Sequence, residues 1–324
     1  MDIAKTVVMA GAAFVGAATL YTMYRRRQSP FVVTQLWTFP IKSCGGFSSS
    51  SVELTPEGVK YDREWGIFHA ETNNIITQRT HPLMKLILVE IHQDRLQIKA
   101  GNRIVFVPLA DDPTLPTQTL TDANIRNLDG ADIRRQGAQV DKFLSTFLET
   151  PVFLGRILTK RQPIKSTLDA SLVTPKETIA LHDFATLTII SEEGIRFVQD
   201  GMNDPGINTN HFRPNVVVGC TTYPEEDSWA QFTIGSVSMN TARWCSRCIM
   251  PNVDDDGAFS KTRKISEFLK ATRMARFPHR DEKADVKPMF GLSVFHTMKS
   301  SGTTVLKCGD TLTVHKRTAT PKFL

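Results

Sequence analysis

Residues 31–40 read F-V-V-T-Q-L-W-T-F-P. β-Branched and aromatic side chains fill the run and Pro40 ends it, so it predicts a strand. Runs of the same kind recur down the chain: W-G-I-F-H-A (65–70), L-I-L-V-E-I (86–91), R-I-V-F-V-P-L (103–109), A-T-L-T-I-I-S (185–191), N-V-V-V-G (215–219), F-T-I-G-S-V-S-M-N (232–240), F-G-L-S-V-F-H-T (290–297) and D-T-L-T-V-H (310–315). Asn, Asp, Gly and Pro separate them, and Asn73–Asn74 reads as a hairpin tip. Helical spacing of apolar residues appears at 140–148, at 192–198 behind a possible Ser191 N-cap, and at 265–272. Many short strands and few helices predict an α+β, mostly β chain, with a barrel favoured over an open parallel sheet. The stretch from Pro151 to about Thr178 is polar and reads as a connection, which sets a division into 30–150 and 151–324.

Composition narrows the classes of function. The 324 residues are 41% hydrophobic and 22% charged, as in a globular protein with room for two modest domains. The net charge of +6 is mild and comes without a long Lys/Arg tract, so no nucleic-acid partner is expected. No G-x-G-x-x-G follows a strand and no P-loop occurs, which leaves nicotinamide and ATP unsupported. The five cysteines are few and odd in number, unlike a secreted disulfide scaffold.

Residues 6–24, T-V-V-M-A-G-A-A-F-V-G-A-A-T-L-Y-T-M-Y, carry no charge and are followed by Arg25, Arg26 and Arg27. At about 1.5 Å per residue the run spans most of a ~30 Å hydrocarbon core. Its stronger positive charge lies after the apolar run, whereas a cleaved signal has it before. Residues 1–29 are therefore expected to be a single-pass anchor that leaves the rest of the chain in the cytosol.

Three polar stretches stand out against apolar surroundings. In P-I-K-S-C-G-G (40–46), Lys42 and Ser43 sit between a strand and two glycines, in a turn suited to an anion through backbone N–H groups and an ammonium. In Y-D-R-E-W (61–65), Arg63 lies in an apolar pattern and needs a carboxylate, Asp62 or Glu64, or an anionic ligand; Arg79 follows in I-T-Q-R-T-H-P. In N-H-F-R-P-N-V-V-V (210–218), Arg213 and Asn215 straddle Pro214, and strand alternation would point both the same way. W-C-S-R-C-I-M-P-N-V-D (244–254) adds a C-x-x-C pair, Cys245 and Cys248. Such a pair serves as half a zinc site, a redox dithiol, a disulfide, or one working thiolate with a bystander. No second C-x-x-C and no H-x-x-x-H accompanies it, which weakens zinc. Arg247 would favour a thiolate, which is a good ligand for a thiophilic metal.

These motifs, in this order, resemble the MOSC family: a β-rich N-terminal region followed by a β-barrel MOSC domain. The resemblance runs from about residue 31 to 316. It implies molybdenum held as Mo-molybdopterin, with Cys248 as its protein ligand. It further implies that Lys42, Ser43, Arg63, Arg213 and Asn215 hold the pterin and its phosphate, that Ser246 and Arg247 contact the cofactor, and that Cys245 is a bystander. Asp183, in A-L-H-D-F-A-T (180–186), would join them; family members have small hydroxyl residues where this chain has Phe184 and Ala185. For membrane-anchored members the resemblance implies reduction of N-hydroxylated compounds at the mitochondrial outer membrane. Their electrons come from NADH through cytochrome b5 reductase and cytochrome b5. Cofactor sulfur transfer or carriage is the alternative. The Lys/Arg-rich stretch 261–280, with the single acid Glu267, is the expected docking surface for an acidic electron donor.

Overall fold

In the computed structural model, Phe31–Thr38 lies within a closed β-barrel. The structure describes residues 31–121, 128–163, 178–220, 222–276, 286–298 and 302–323. The expected anchor, residues 6–24, lies outside them. Among the described residues no helix is long and apolar enough to cross a membrane.

Seven strands form the barrel. Phe31–Thr38 pairs antiparallel with Val216–Gly219 on one side and Thr311–Arg317 on the other. The ring continues through Trp229–Ile234, Val237–Ser246 and Val286–His296. Leu187–Ser191 closes it, antiparallel to Val286–His296 and parallel to Val216–Gly219. A parallel pair needs a crossover. Helix Glu192–Met202 lies in that connection, and Ser191 caps it by accepting the Gly194 N–H at 2.9 Å. Leu36, Leu187, Ile189, Val216, Phe232 and Leu292 belong to the core of this body. The stretch expected as one strand at 232–240 is a hairpin, because Gly235 at φ +55° turns the chain and Ile234 faces Val237.

The first segment builds a second core. Trp65–His69 pairs with Val152–Ile157, which pairs with Asp132–Arg135. Leu88–His92, Arg95–Ala100 and Arg103–Pro108 form a three-stranded meander. Helix Ala138–Leu148 turns Val140, Phe143, Leu144 and Leu148 onto the same core as Trp65, Val89 and Leu96. Asn73, with positive φ, turns the chain so that the His69 N–H reaches the Asn74 carbonyl.

The expected polar connection after Pro151 is corrected for residues 152–157. They form a strand whose Val152, Phe153 and Leu154 are buried. The expected division therefore falls in front of a strand of the first segment's sheet. Conversely, Phe31–Thr38, assigned to the first segment, belongs to the barrel. Strand pairing between distant residues decides both, and local composition does not encode it.

Candidate functional site

The turn after the first strand is tightly held. The Lys42 N–H bonds the Trp65 carbonyl at 2.8 Å, Cys44 bonds Ile41 and Gly45 bonds Ile87. Those amides are thus committed internally, and the turn's capacity for an anion rests on Lys42 and Ser43 rather than on them. Ser43 adopts φ +66°. The Lys42 ammonium donates to the Leu181 carbonyl at 2.9 Å and to Asp183 Oδ1 at 2.5 Å. Burial lowers the Lys42 pKa, and Asp183 opposes this. Asp183 faces solvent over 62% of its side chain. Desolvation pushes its carboxyl up, yet Lys42, Arg79 and Arg63 hold it at about 2. Cys44 is buried, which pushes its thiol up to about 12 and leaves it inert.

Asp62 is the hub behind the site. It is buried and accepts from the Phe39 N–H at 2.7 Å, Asn215 Nδ2 at 2.9 Å, His182 Nε2 at 2.9 Å and the Arg63 guanidinium. Desolvation works against its charge, but Arg63 and His182 keep the carboxyl well below the usual range. Arg63 also reaches the Arg213 carbonyl at 3.0 Å and lies 5.0 Å from the Phe39 ring. The choice between Asp62 and Glu64 as its partner is thereby settled. Glu64 pairs with Arg156 at 2.8 Å.

Arg213 and Asn215 do not share a strand face. Arg213 ends the short helix Thr209–Phe212 in the left-handed region at φ +53°, ahead of the strand, so alternation does not apply. Its guanidinium stacks 4.3 Å from Phe39 and bonds the Cys44 carbonyl; burial and nearby Arg63 bring its pKa down to about 9. Asn215 is fully buried behind it, accepting the Thr188 N–H at 3.1 Å while donating to Asp62. Its side chain is bonded to Arg63, Asp62 and the Thr188 N–H.

Strand Val237–Ser246 delivers the C-x-x-C. All five cysteines are free; Cys245 is buried and Cys248 exposed, with its Sγ 3.5 Å from the Met250 N–H. Arg247 donates to the Phe290 carbonyl at 2.9 Å and the Phe212 carbonyl at 2.7 Å, leaving Nη2 buried without a partner. Ser246 Oγ accepts from Arg243 at 3.1 Å, and Arg243 lies 3.9 Å over Phe184.

One cleft gathers Lys42, Ser43, Arg63, Asp183, Arg213, Ser246, Arg247 and Cys248, and Asn215 alone of the expected set stands outside it. Phe184 and Ala185 line it too, as do Arg79, His182 and His211. The two histidines were missed by sequence reasoning, since a lone His carries no spacing signal. His211 Nδ1 accepts the Asn208 N–H at 3.2 Å, and burial, with Lys85 and Arg263 nearby, lowers its pKa to about 4. Of the six buried side-chain polar atoms without a partner among the described residues, three belong to cleft residues: His182 Nδ1, His211 Nε2 and Arg247 Nη2. The cationic side chains of the wall fit an anionic group.

The basic stretch 261–280 needs a correction. Arg273 is buried, bonding Asp227 at 2.7 Å and 2.9 Å, and Arg263 pairs with Asp204 and Asp254. Lys261, Lys264 and Lys270 are exposed. Residues 277–280 lie outside the described residues.

Comparison with known proteins agrees with this architecture. The model of the MOSC N-terminal beta barrel domain matches residues 30–151, and that of the MOSC domain matches residues 176–313. The chain is 29% identical over 298 residues to mitochondrial amidoxime reducing component 2 of Bos taurus. It is 30% identical over 298 residues to mitochondrial amidoxime-reducing component 1 of Homo sapiens. Each alignment covers 88% of this chain and 84% of the relative. Similarity to the molybdenum cofactor sulfurase of Danio rerio is 26% over 264 residues, covering 75% of this chain and 31% of that protein. Fold and matches define a two-part MOSC protein. Within that class, the chain belongs to the family of the mitochondrial amidoxime-reducing components.

Proposed function

We propose that this chain is a molybdenum-cofactor-dependent oxidoreductase that reduces N-hydroxylated compounds: amidoximes, hydroxylamines and N-hydroxyguanidines. The observation that carries the reading is an exposed thiol, Cys248, on a cleft lined by Lys42, Arg63, Arg79, Arg213 and Arg247. Among the described residues no three His, Cys, Asp or Glu side chains converge on a metal site, so a metal on Cys248 would draw its remaining ligands from a cofactor. The residues fit such a group. Arg63 is pre-aimed by the Asp62–Asn215 pair. Lys42, Ser43 and Arg213 complete the anion wall, with Ser246 and Arg247 flanking the thiol. When bound, the cofactor supplies the two-electron chemistry, and the protein supplies orientation and electrostatics. Phe184, Phe212 and Pro251 add apolar surface to the cleft wall.

In this reading electrons arrive from NADH through cytochrome b5 reductase and cytochrome b5. The protein sits in the mitochondrial outer membrane by residues 6–24, with the remainder in the cytosol. The similarity to a cofactor sulfurase favours a second reading, sulfur transfer or cofactor carriage. Assay of the purified full-length chain for molybdenum, pterin and NADH-driven reduction of an aromatic amidoxime separates the two. Bound cofactor with turnover supports the reductase. Bound cofactor without turnover in the presence of both donor proteins supports carriage.

A further inference from the structure

We infer that Arg79 sets substrate preference in the cleft: its guanidinium takes a carboxylate carried by the substrate, so that carboxylate-bearing N-hydroxylated compounds bind better than neutral ones. This rests on the proposed reductase reading and narrows its substrate class. Among the described residues, five lysines and arginines line the cleft, and four of them are committed to protein acceptors. Lys42 bonds the Leu181 carbonyl and Asp183, and Arg63 bonds Asp62 and the Arg213 carbonyl. Arg213 bonds the Cys44 carbonyl, and Arg247 bonds those of Phe290 and Phe212. Arg79 is the fifth, and it has no hydrogen-bond, ion-pair or ring partner among the described residues.

The backbone that carries Arg79 is fixed. The Thr80 and His81 N–H groups both bond the Thr77 carbonyl, at 3.0 Å and 2.8 Å, and the buried Gln78 side chain donates to the Ser43 carbonyl at 2.7 Å. The turn is thereby pinned to the Lys42–Ser43 turn. Arg79 is exposed, as is Cys248, so both meet a molecule that enters the cleft from solvent. Lys42 and Arg213, which burial desolvates, gain most from an anion that stays. An exposed guanidinium is already solvated. Its ion pairs are weak and salt-sensitive, which suits a group that arrives and leaves with each turnover. Its planar fork fits a carboxylate through two parallel N–H···O bonds. Asp183 limits the charge of that group. Desolvation raises its carboxyl, while Lys42 and Arg79 are close enough to lower it, yet its ion pair is with Lys42 and it stays exposed. A negative neighbour on the same cleft disfavours a dianion such as phosphate more than a singly charged carboxylate.

The test compares benzamidoxime with its meta- and para-carboxylate derivatives, which probe two reaches from the N-hydroxy group. Their binding to the full-length protein as purified is measured by calorimetry at low salt, without electron donors. Pterin content during dialysis and the melting temperature are followed alongside. Wild type should bind at least one carboxylate isomer about fivefold tighter than benzamidoxime, the upper range of an exposed ion pair, and raised salt should erase the difference. Arg79→Gln should lose the preference, keep the benzamidoxime affinity within about twofold, and melt and retain pterin like wild type. Arg79→Lys keeps the charge without the fork and should hold an intermediate preference. No carboxylate preference in wild type, or one that survives in Arg79→Gln, overturns the inference. Faster pterin loss from Arg79→Gln overturns it too, by giving Arg79 to the cofactor. The reductase reading is judged apart, by turnover with both donor proteins. A carboxylate preference that Arg79→Gln abolishes, in a wild type without turnover, upholds the Arg79 site and removes the reductase.

Discussion

Cys245 and Cys248 are three positions apart and both line the cleft, but Cys245 is buried at the end of a barrel strand whereas Cys248 is exposed. Cys248→Ala should therefore abolish N-reduction and strip molybdenum, while Cys245→Ala should keep most of both. Equal loss of activity in the two variants with molybdenum retained would instead favour a dithiol. The motif residues were legible because Lys42, Ser43, Ser246 and Arg247 are brought to the cleft by local turns and a strand end. Asp62 and Asn215 were legible only as polar residues in apolar stretches. Their roles depend on bonds across 153 positions of sequence, which no local pattern contains. Glu226 was invisible altogether. It is buried with Oε1 2.5 Å from Ser191 Oγ, and desolvation raises its pKa to about 7. A carboxyl raised from 4.5 in this way favours the fold below that pH, and the advantage is lost as pH climbs to about 7. Glu226→Gln keeps the acceptor for Ser191 without the charge. Its melting temperature relative to wild type should rise between pH 5 and pH 8. A flat difference would show that Glu226 does not titrate there.

Elements carry the site as much as residues do. Helix Glu192–Met202 spans the parallel crossover that closes the barrel, and its cap was readable from Ser191 followed by two glutamates. The cap is coupled to the buried Glu226, which the sequence did not reveal. Ser191→Ala removes the cap and also leaves Glu226 Oε1 without its donor. The expected cost is about 2–4 kcal/mol, above the roughly 1 kcal/mol of an ordinary cap. Urea titration checks it, and a loss near 1 kcal/mol would show that Glu226 finds another partner. Strand Val152–Ile157 went unread because Pro151 looked like a break and polar residues follow. Its buried pairing with Trp65–His69 is a long-range fact. The pairing starts at Trp65, and Glu64 beside it is tied to the same strand through its carbonyl, which accepts the Ile157 N–H at 2.9 Å, and its ion pair with Arg156, which helps to hold the Asp62–Arg63 turn in place.

At the scale of the whole molecule, the barrel and the first segment meet around one cleft whose wall is positive, and the proposed reductase reading requires a route for electrons to it. The basic stretch from Lys261 offered an answer that the structure trims. Arg273 holds Asp227 inside the protein, and reversing its charge would leave a buried carboxylate unpaired, typically at 3–5 kcal/mol. It is a structural residue. Lys264, at the N-cap, and Lys270 are exposed on helix Ile265–Arg273, which follows the segment after Cys248 and packs against it through the Ser266–Asn252 bonds. Under the proposed function, these two lysines are the candidate docking point for an acidic electron donor such as cytochrome b5. Opposite charges speed encounter, and salt screens them over about 8 Å at physiological ionic strength. Turnover driven by the cytochrome should fall steeply as salt is raised, while turnover with a small uncharged reductant should change little. Lys264→Glu with Lys270→Glu should slow the cytochrome-driven reaction severalfold, chiefly in its second-order rate, and leave the small-reductant reaction and the melting temperature near wild type. Equal salt sensitivity with both donors, or a double variant that responds alike to each, would move the electron entry point away from this helix.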